Sequence, residues 1–235
     1  MGLSSRQVCR RNWIRNSLAQ IIRAGTSAHP YTFFNAMNTE ALILILLAYL
    51  VGSIPFGLIL SKLFAKTDIR KVGSGNIGAT NVMRVLGKKL GVLTLMFDIL
   101  KGAIFVILAE VVTHSEIWAS LAGLAAFLGH LYPIYLKFRG GKGVATSVGI
   151  FLFLAPYALL VDIVIFLLVV YQTRYVSLGS IIAAALLPVI LLVFSYSYVY
   201  VILAVIMGGF IILRHRDNIQ RLKQGRETKF GEKKG

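Results

Sequence analysis

The chain has 235 residues, 57% of them hydrophobic and only 14% charged. Soluble domains run at about 25% charged, so this composition excludes a disordered chain and argues against a water-soluble domain. The 25 Lys and Arg against 9 Asp and Glu leave a formal +16. That charge points to an anionic partner, and the apolar content selects a membrane setting over nucleic acid.

Residues 1–36 carry Arg6, Arg10, Arg11, Arg15 and Arg23 and no acid. An Arg-rich, acid-poor leader has the composition of a transit peptide. The plainer reading, which is preferred, starts translation at Met37, whose MNTEALILILLAYL runs straight into apolar sequence. No apolar h-region precedes residue 36, so a secretory signal is excluded. The expected organisation is a leader over 1–36, one membrane domain over 37–227 and a basic tail over 228–235.

Gaps between charges mark the spans. None falls between Glu40 and Lys62 or between Glu116 and Lys137, and each gap is about the 20 residues that a crossing helix needs. Leu90 to Ala109 is apolar except for Asp98 and Lys101, which share a helix face at i and i+3 and can pair. Gly143 to Thr173 holds only Asp162, and Tyr175 to Leu213 holds no charge and suits two helices joined near Phe194–Tyr198. As one helix, the stretch from Gly143 would be about 46 Å long, well beyond a hydrocarbon core of about 30 Å. Two short helices turning near Pro156 place 19 of the 20 basic residues beyond residue 36 on one face, all but Lys101. The positive-inside rule makes that face cytoplasmic. The predicted fold is therefore all-α, a polytopic bundle of seven transmembrane helices with the amino end outside and the carboxyl end in the cytoplasm.

Three polar segments share the basic face. In the first, Gly73, Ser74, Gly75, Asn76, Gly78, Thr80 and Asn81 precede Arg84. Glycines that free backbone N–H groups, small polar side chains and an arginine one helical turn on are the parts of a phosphate cradle. The second, Lys137 to Thr146, contains Arg139, Gly140, Gly141, Lys142 and Gly143. It is not a Walker A loop: Leu136 stands where that motif needs its first glycine, Gly143 follows the lysine, and no strand precedes it. What remains is a glycine-lined anion site at a helix start. The third runs from Arg214 to Leu222, with Gly225 and Glu227 beyond it. His215 and Asn218 share a helical face there, suiting a neutral histidine that meets an alcohol and an amide that orients it. A short loop, Thr173 to Ser180, adds hydroxyls on the same face.

Other chemistries are missing. His114 and His130 have no partner at metal-ligand spacing, so no metal or other cofactor is expected. There is no Gly-x-Ser-x-Gly elbow, no histidine with an acid five positions later, and no soluble basic domain for nucleic acid.

The sequences GSGNIGATNVMR (73–84), GHLYPIYLKFRGGKGVAT (129–146) and LRHRDNIQRLKQGRE (213–227), in this order, resemble the bacterial acyl-phosphate-dependent glycerol-3-phosphate acyltransferases, from Met37 to about Glu227. The resemblance implies transfer of a fatty acyl group from acyl phosphate to the 1-hydroxyl of sn-glycerol 3-phosphate, giving lysophosphatidate and phosphate for phospholipid synthesis. It further implies seven spans in the bacterial inner membrane, a cytoplasmic active site and a soluble enzyme that supplies the donor. Matched to the motifs, Ser74, Thr80, Asn81, Arg84, Lys142, His215 and Asn218 carry over, with Ser177 or Ser180 as a further hydroxyl. Ser74 and the 73–81 backbone then hold the donor, Arg84 and Lys142 stabilise phosphate charge, and Lys142, His215 and Asn218 position the acceptor. The general base is either His215 or the donor's own phosphate. The competing class, a transporter of a phosphorylated metabolite, would need ionisable or broken helices at the bilayer midplane and an inverted repeat. Asp98, Lys101 and Asp162 are its only candidates.

Overall fold

The computed structural model describes residues 39–232. Of these, residues 43–232 belong to one compact unit. The leader expected over 1–36 lies outside the described residues, as do the last three residues of the basic tail.

Every regular element among the described residues is helical: α1 (Thr39–Gly52), α2 (Phe56–Ala65), α3 (Ala79–Leu86), α4 (Lys88–Thr113), α5 (Glu116–Leu131), α6 (Val144–Leu154), α7 (Pro156–Thr173), α8 (Val176–Val193), α9 (Tyr198–Arg214) and α10 (Arg216–Lys223). Single 3₁₀ turns sit at Ile69–Lys71 and Ile134–Leu136. Prolines set two of the breaks. Pro55 follows the kink between α1 and α2, where a residue preceding proline disfavours helix. Pro156 opens α7 at its first turn, where its missing N–H costs nothing. The stretch 143–173 is thus divided where the sequence suggested.

Five runs are long and apolar enough to cross a bilayer: Thr39–Ala65, α4, Glu116–Leu136, α7 and α8. α9 meets the same test only together with α10, from which it bends by 56°. α6 has 11 residues and is about 16 Å long, half a hydrocarbon core. Length and composition therefore give five or six crossings, fewer than the seven expected. The protein is nonetheless built for lipid. Leu46, Leu63, Leu160, Tyr171 and Val193 stand exposed on the helix surfaces, as outward faces in a bilayer do.

Inside, Phe127, Ile150, Phe151, Leu191 and Met207 form one fully buried cluster. α4 and α6 cross at van der Waals contact. Gly102 lies against the Thr146 backbone and Gly149 against the carbonyl of Ile99, with no room for a methyl at either. This crossing fixes the start of α6, and with it Lys142 and Gly143, over α4. The pairing expected between Asp98 and Lys101 is present, with Nζ 2.8 Å from Oδ1.

Candidate active site

The first glycine segment is held by one of its own side chains. Asn81, in the first turn of α3, is 2% exposed. Its Oδ1 accepts the Ser74 N–H at 2.8 Å, and its Nδ2 lies 2.9 Å from the Asn76 carbonyl and 3.2 Å from those of Ile69 and Val72. Asn76 in turn accepts the Gly78 N–H at 2.8 Å, closing an Asx turn at the helix start. Gly73 makes the fold-back possible, with φ +62° and no room for a side chain beside the Asn81 amide. Upstream, Asp68 accepts two bonds from the Arg70 guanidinium at 2.9 and 2.7 Å, which hold its carboxyl well below the usual range. Thr80 and Arg84, one turn apart on α3, face the same cavity.

The second segment is held from elsewhere in the chain. The Gly140 and Gly141 N–H groups donate to the Leu131 and His130 carbonyls at 3.1 and 3.0 Å. Their own carbonyls accept from Arg214, at 2.7 Å for Gly140 and 3.0 Å for Gly141. The Arg214 guanidinium also stacks 5.6 Å from the Tyr132 ring centre. Gly143 caps α6 with φ +85°, a conformation L side chains rarely adopt, and any added methyl would strike Phe127. Lys142, between these anchors, donates its Nζ to Asn218 Oδ1.

At the end of α9, His215 is 2% exposed. Its Nδ1 lies 2.8 Å from the Ile211 carbonyl, so Nδ1 carries the hydrogen and Nε2 is an acceptor. Burial, together with the neighbouring Lys142 ammonium, pushes His215 down to about 4; it is neutral at pH 7. One turn on, Asn218 Nδ2 donates to Glu227 Oε1 at 2.6 Å. Glu227 also accepts from Ser177 Oγ at 2.8 Å and from Arg221 Nε at 2.7 Å. Burial works to raise the Glu227 carboxyl, but the bonds from Asn218, Arg221 and Ser177 outweigh it and hold it below its ordinary value. Burial pushes Lys142 down to about 8, partly offset by the Glu227 carboxylate. Beyond Glu227 the tail is clipped to the turn between α7 and α8, with the Phe230 N–H donating to the Arg174 carbonyl at 2.6 Å.

One cavity of about 750 Å³ receives all three segments. Ser74, Thr80, Arg84, Lys142, His215, Asn218 and Ser177 line its polar end, joined by Gly73, Asn76, Gly78, Asn81, Gly143 and Ser180. Leu95, Val148, Leu159, Phe166 and Leu187 line the rest. The cavity therefore joins a cationic, hydroxyl-rich mouth to an apolar cleft between helices, as an amphiphile carrying a phosphate would need. Gly75, Arg139, Gly140 and Gly141 do not reach it. Gly75, Arg139 and Gly140 border a separate, smaller cavity of about 400 Å³ with Arg70, Lys71 and Arg214. Gly141 instead abuts the His130 ring. Among the described residues no group of three or more His, Cys, Asp or Glu could hold a metal.

Glu227 and Arg221 also border the cavity, and sequence reasoning gave neither a role. The available signal was an acid set among Arg221, Lys223, Arg226 and Lys229. His130 borders it as well, although its spacing suggested no partner.

The family model described as glycerol-3-phosphate acyltransferase matches residues 42–225. This chain belongs to that family. A glycerol-3-phosphate acyltransferase of Syntrophotalea carbinolica is 50% identical over 193 residues, covering 82% of this chain and 98% of the relative. One of Geotalea daltonii is 46% identical over 192 residues, with the same shares covered. Among solved structures, PlsY (YgiH), an integral membrane glycerol 3-phosphate acyltransferase in its glycerol 3-phosphate form, matches with a TM-score of 0.79 and 44% identity, over 82% of this chain and 96% of that one. Its lysophosphatidic acid form matches with a TM-score of 0.76. Membership in the glycerol-3-phosphate acyltransferase family decides between the enzyme and the transporter in favour of the enzyme.

Proposed function

We propose that this acyltransferase takes its acyl group from an acyl phosphate and passes it to the 1-hydroxyl of glycerol 3-phosphate. The observation that carries the reading is the single cavity in which Arg84, Lys142 and His215, from three separate segments, meet at the mouth of an apolar cleft. The donor lies with its chain between α6, α7 and α8 and its phosphate on Ser74, the 73–78 backbone and Arg84. The acceptor phosphate sits on Lys142, with Asn218 and the His215 Nε2 fixing the glycerol.

The hydroxyl oxygen attacks the acyl carbon, the bond from that carbon to the phosphate oxygen breaks, and inorganic phosphate leaves with the hydroxyl proton. The phosphate gains basicity as its bond to the acyl carbon breaks, whereas burial and the Lys142 ammonium push His215 down to about 4, so the departing phosphate is the better proton acceptor. The donor's own phosphate is therefore the base, and His215 orients. No covalent enzyme intermediate is needed, because the leaving group is already a phosphate. Arg84 and Lys142 supply fixed positive charge as that group departs.

The distribution of basic residues supports seven crossings with the motifs at the cytoplasmic face of a bacterial inner membrane, α6 being the short one. A soluble enzyme delivers the donor to that face. The test is direct. Purified protein in detergent, given acyl phosphate and labelled glycerol 3-phosphate, yields labelled lysophosphatidate and one equivalent of phosphate. Product with acyl thioester but none with acyl phosphate would overturn the choice of donor.

A further inference from the structure

Asp98 on α4 and His130 on α5 border the substrate cavity, with Lys101 beside them, yet the reaction above uses none of the three. They are 2%, 4% and 3% exposed, respectively. Burying ions in a bilayer interior is expensive, and an apolar replacement of a buried ion pair is commonly no less stable. Stability alone therefore gives no reason for charges at this depth.

Their contacts run in one direction. Lys101 Nζ donates to the Ile54 carbonyl at 3.0 Å, at the break between α1 and α2, and pairs with Asp98 at 2.8 Å. Asp98 Oδ1 lies 3.6 Å from His130 Nδ1, and that nitrogen has no other partner. The far side of the ring faces Gly141 so closely that a methyl group there would collide with Nε2. The His130 carbonyl also accepts the Gly141 N–H, at 3.0 Å. The next residue is Lys142.

We propose that Lys101, Asp98 and His130 are positioning residues for Lys142. The His130 ring is the floor on which Gly141 lies, while Gly140 rests on the His130 and Leu131 carbonyls, and the ion pair, tied to the α1–α2 break, keeps that floor in place. Arg214 closes the same backbone from the opposite side. The inference rests on the reading in which Lys142 holds the acceptor phosphate.

The test compares the double variant Asp98→Leu/Lys101→Met, which removes both charges together, with His130→Ala, His130→Gln and Lys142→Met. In the double variant and in His130→Ala, the Gly140 and Gly141 amides exchange hydrogen about tenfold faster than in the parent while Tm is retained. KM for glycerol 3-phosphate rises about tenfold in the same proteins, KM for the acyl donor stays within about twofold, and His130→Gln recovers most of the loss. Unchanged exchange at these amides, or equal rises in both KM values, overturns the proposal. Should the double variant fail to fold, His130→Ala alone decides by the same two readouts. If Lys142→Met leaves KM for glycerol 3-phosphate unchanged, the assignment of Lys142 fails. Amide exchange still decides whether the three residues hold the loop.

Discussion

The two glycine segments look alike in sequence and are held in opposite ways. The 73–78 loop is closed by Asn81, a side chain a few residues on, whose Oδ1 accepts the Ser74 N–H and whose Nδ2 lies within hydrogen-bonding distance of three backbone carbonyls. The 140–143 loop is closed by Arg214, more than 70 residues away, and by the carbonyls of α5. The first is a local motif that any chain carrying it would tend to form. The second exists only once α5, α6 and α9 have packed. Glycine content announces a loop that approaches something closely; it does not say what holds the loop.

The largest expected effect lies in the second loop. Lys142→Met removes an ammonium from the polar mouth, and loss of a single preorganised charge donor costs about 10²–10³-fold in turnover. Steady-state assay at saturating donor measures it; a loss below about tenfold would mean that Arg84 carries both phosphates. Asn81→Ala comes next. It leaves the Ser74 N–H and several loop carbonyls without partners, at about 1–3 kcal/mol for each group that stays buried. Turnover falls tens-fold and Tm drops, both visible in one detergent preparation. Arg214→Ala is milder, because the Gly140 and Gly141 carbonyls can turn to water at the interface. KM for glycerol 3-phosphate rises about tenfold, with Tm nearly unchanged. If Arg214→Ala instead lowers Tm as much as Asn81→Ala does, the contrast between a locally held and a remotely held loop is wrong.

Much of this was legible from residues alone. Charge gaps located the apolar helices, and the i, i+3 spacing of Asp98 and Lys101 gave their pairing. Three polar segments on one face gave a shared site, because topology brings helix ends on one side of a bundle together. What stayed hidden depends on side-chain direction. Arg139 and Lys142 are three residues apart in one loop, yet Arg139 borders a different cavity from Lys142. Asn81 was expected as a phosphate ligand, but its amide is spent on its own loop. Glu227, given no role by the sequence, gathers Ser177, Asn218 and Arg221 at one carboxylate. The number of crossings is no more legible in the folded helices, since α6 is too short for length to identify it as a span.

The smallest effect tests the electrostatics that link the second loop to the tail. Lys142 must be protonated to hold a phosphate dianion, and it is held at about 8 by burial. Its charged form is therefore lost as pH rises through that value. KM for glycerol 3-phosphate climbs between pH 7 and about 8.5, by about fourfold for a single group titrating at this point. Below about pH 6 the substrate phosphate itself takes up a proton, so kcat/KM describes a bell with Lys142 on its alkaline limb. Glu227, Asp217, Arg221 and Arg84 all act on that ammonium, and the two carboxylates raise its pKa. Glu227→Gln keeps a hydrogen-bonding side chain beside Asn218 while removing one of those charges, so the alkaline limb moves to lower pH. A limb that stays fixed in Glu227→Gln, or disappears only in a variant other than Lys142→Met, assigns the titration to another group and separates the tail from the loop it is expected to tune.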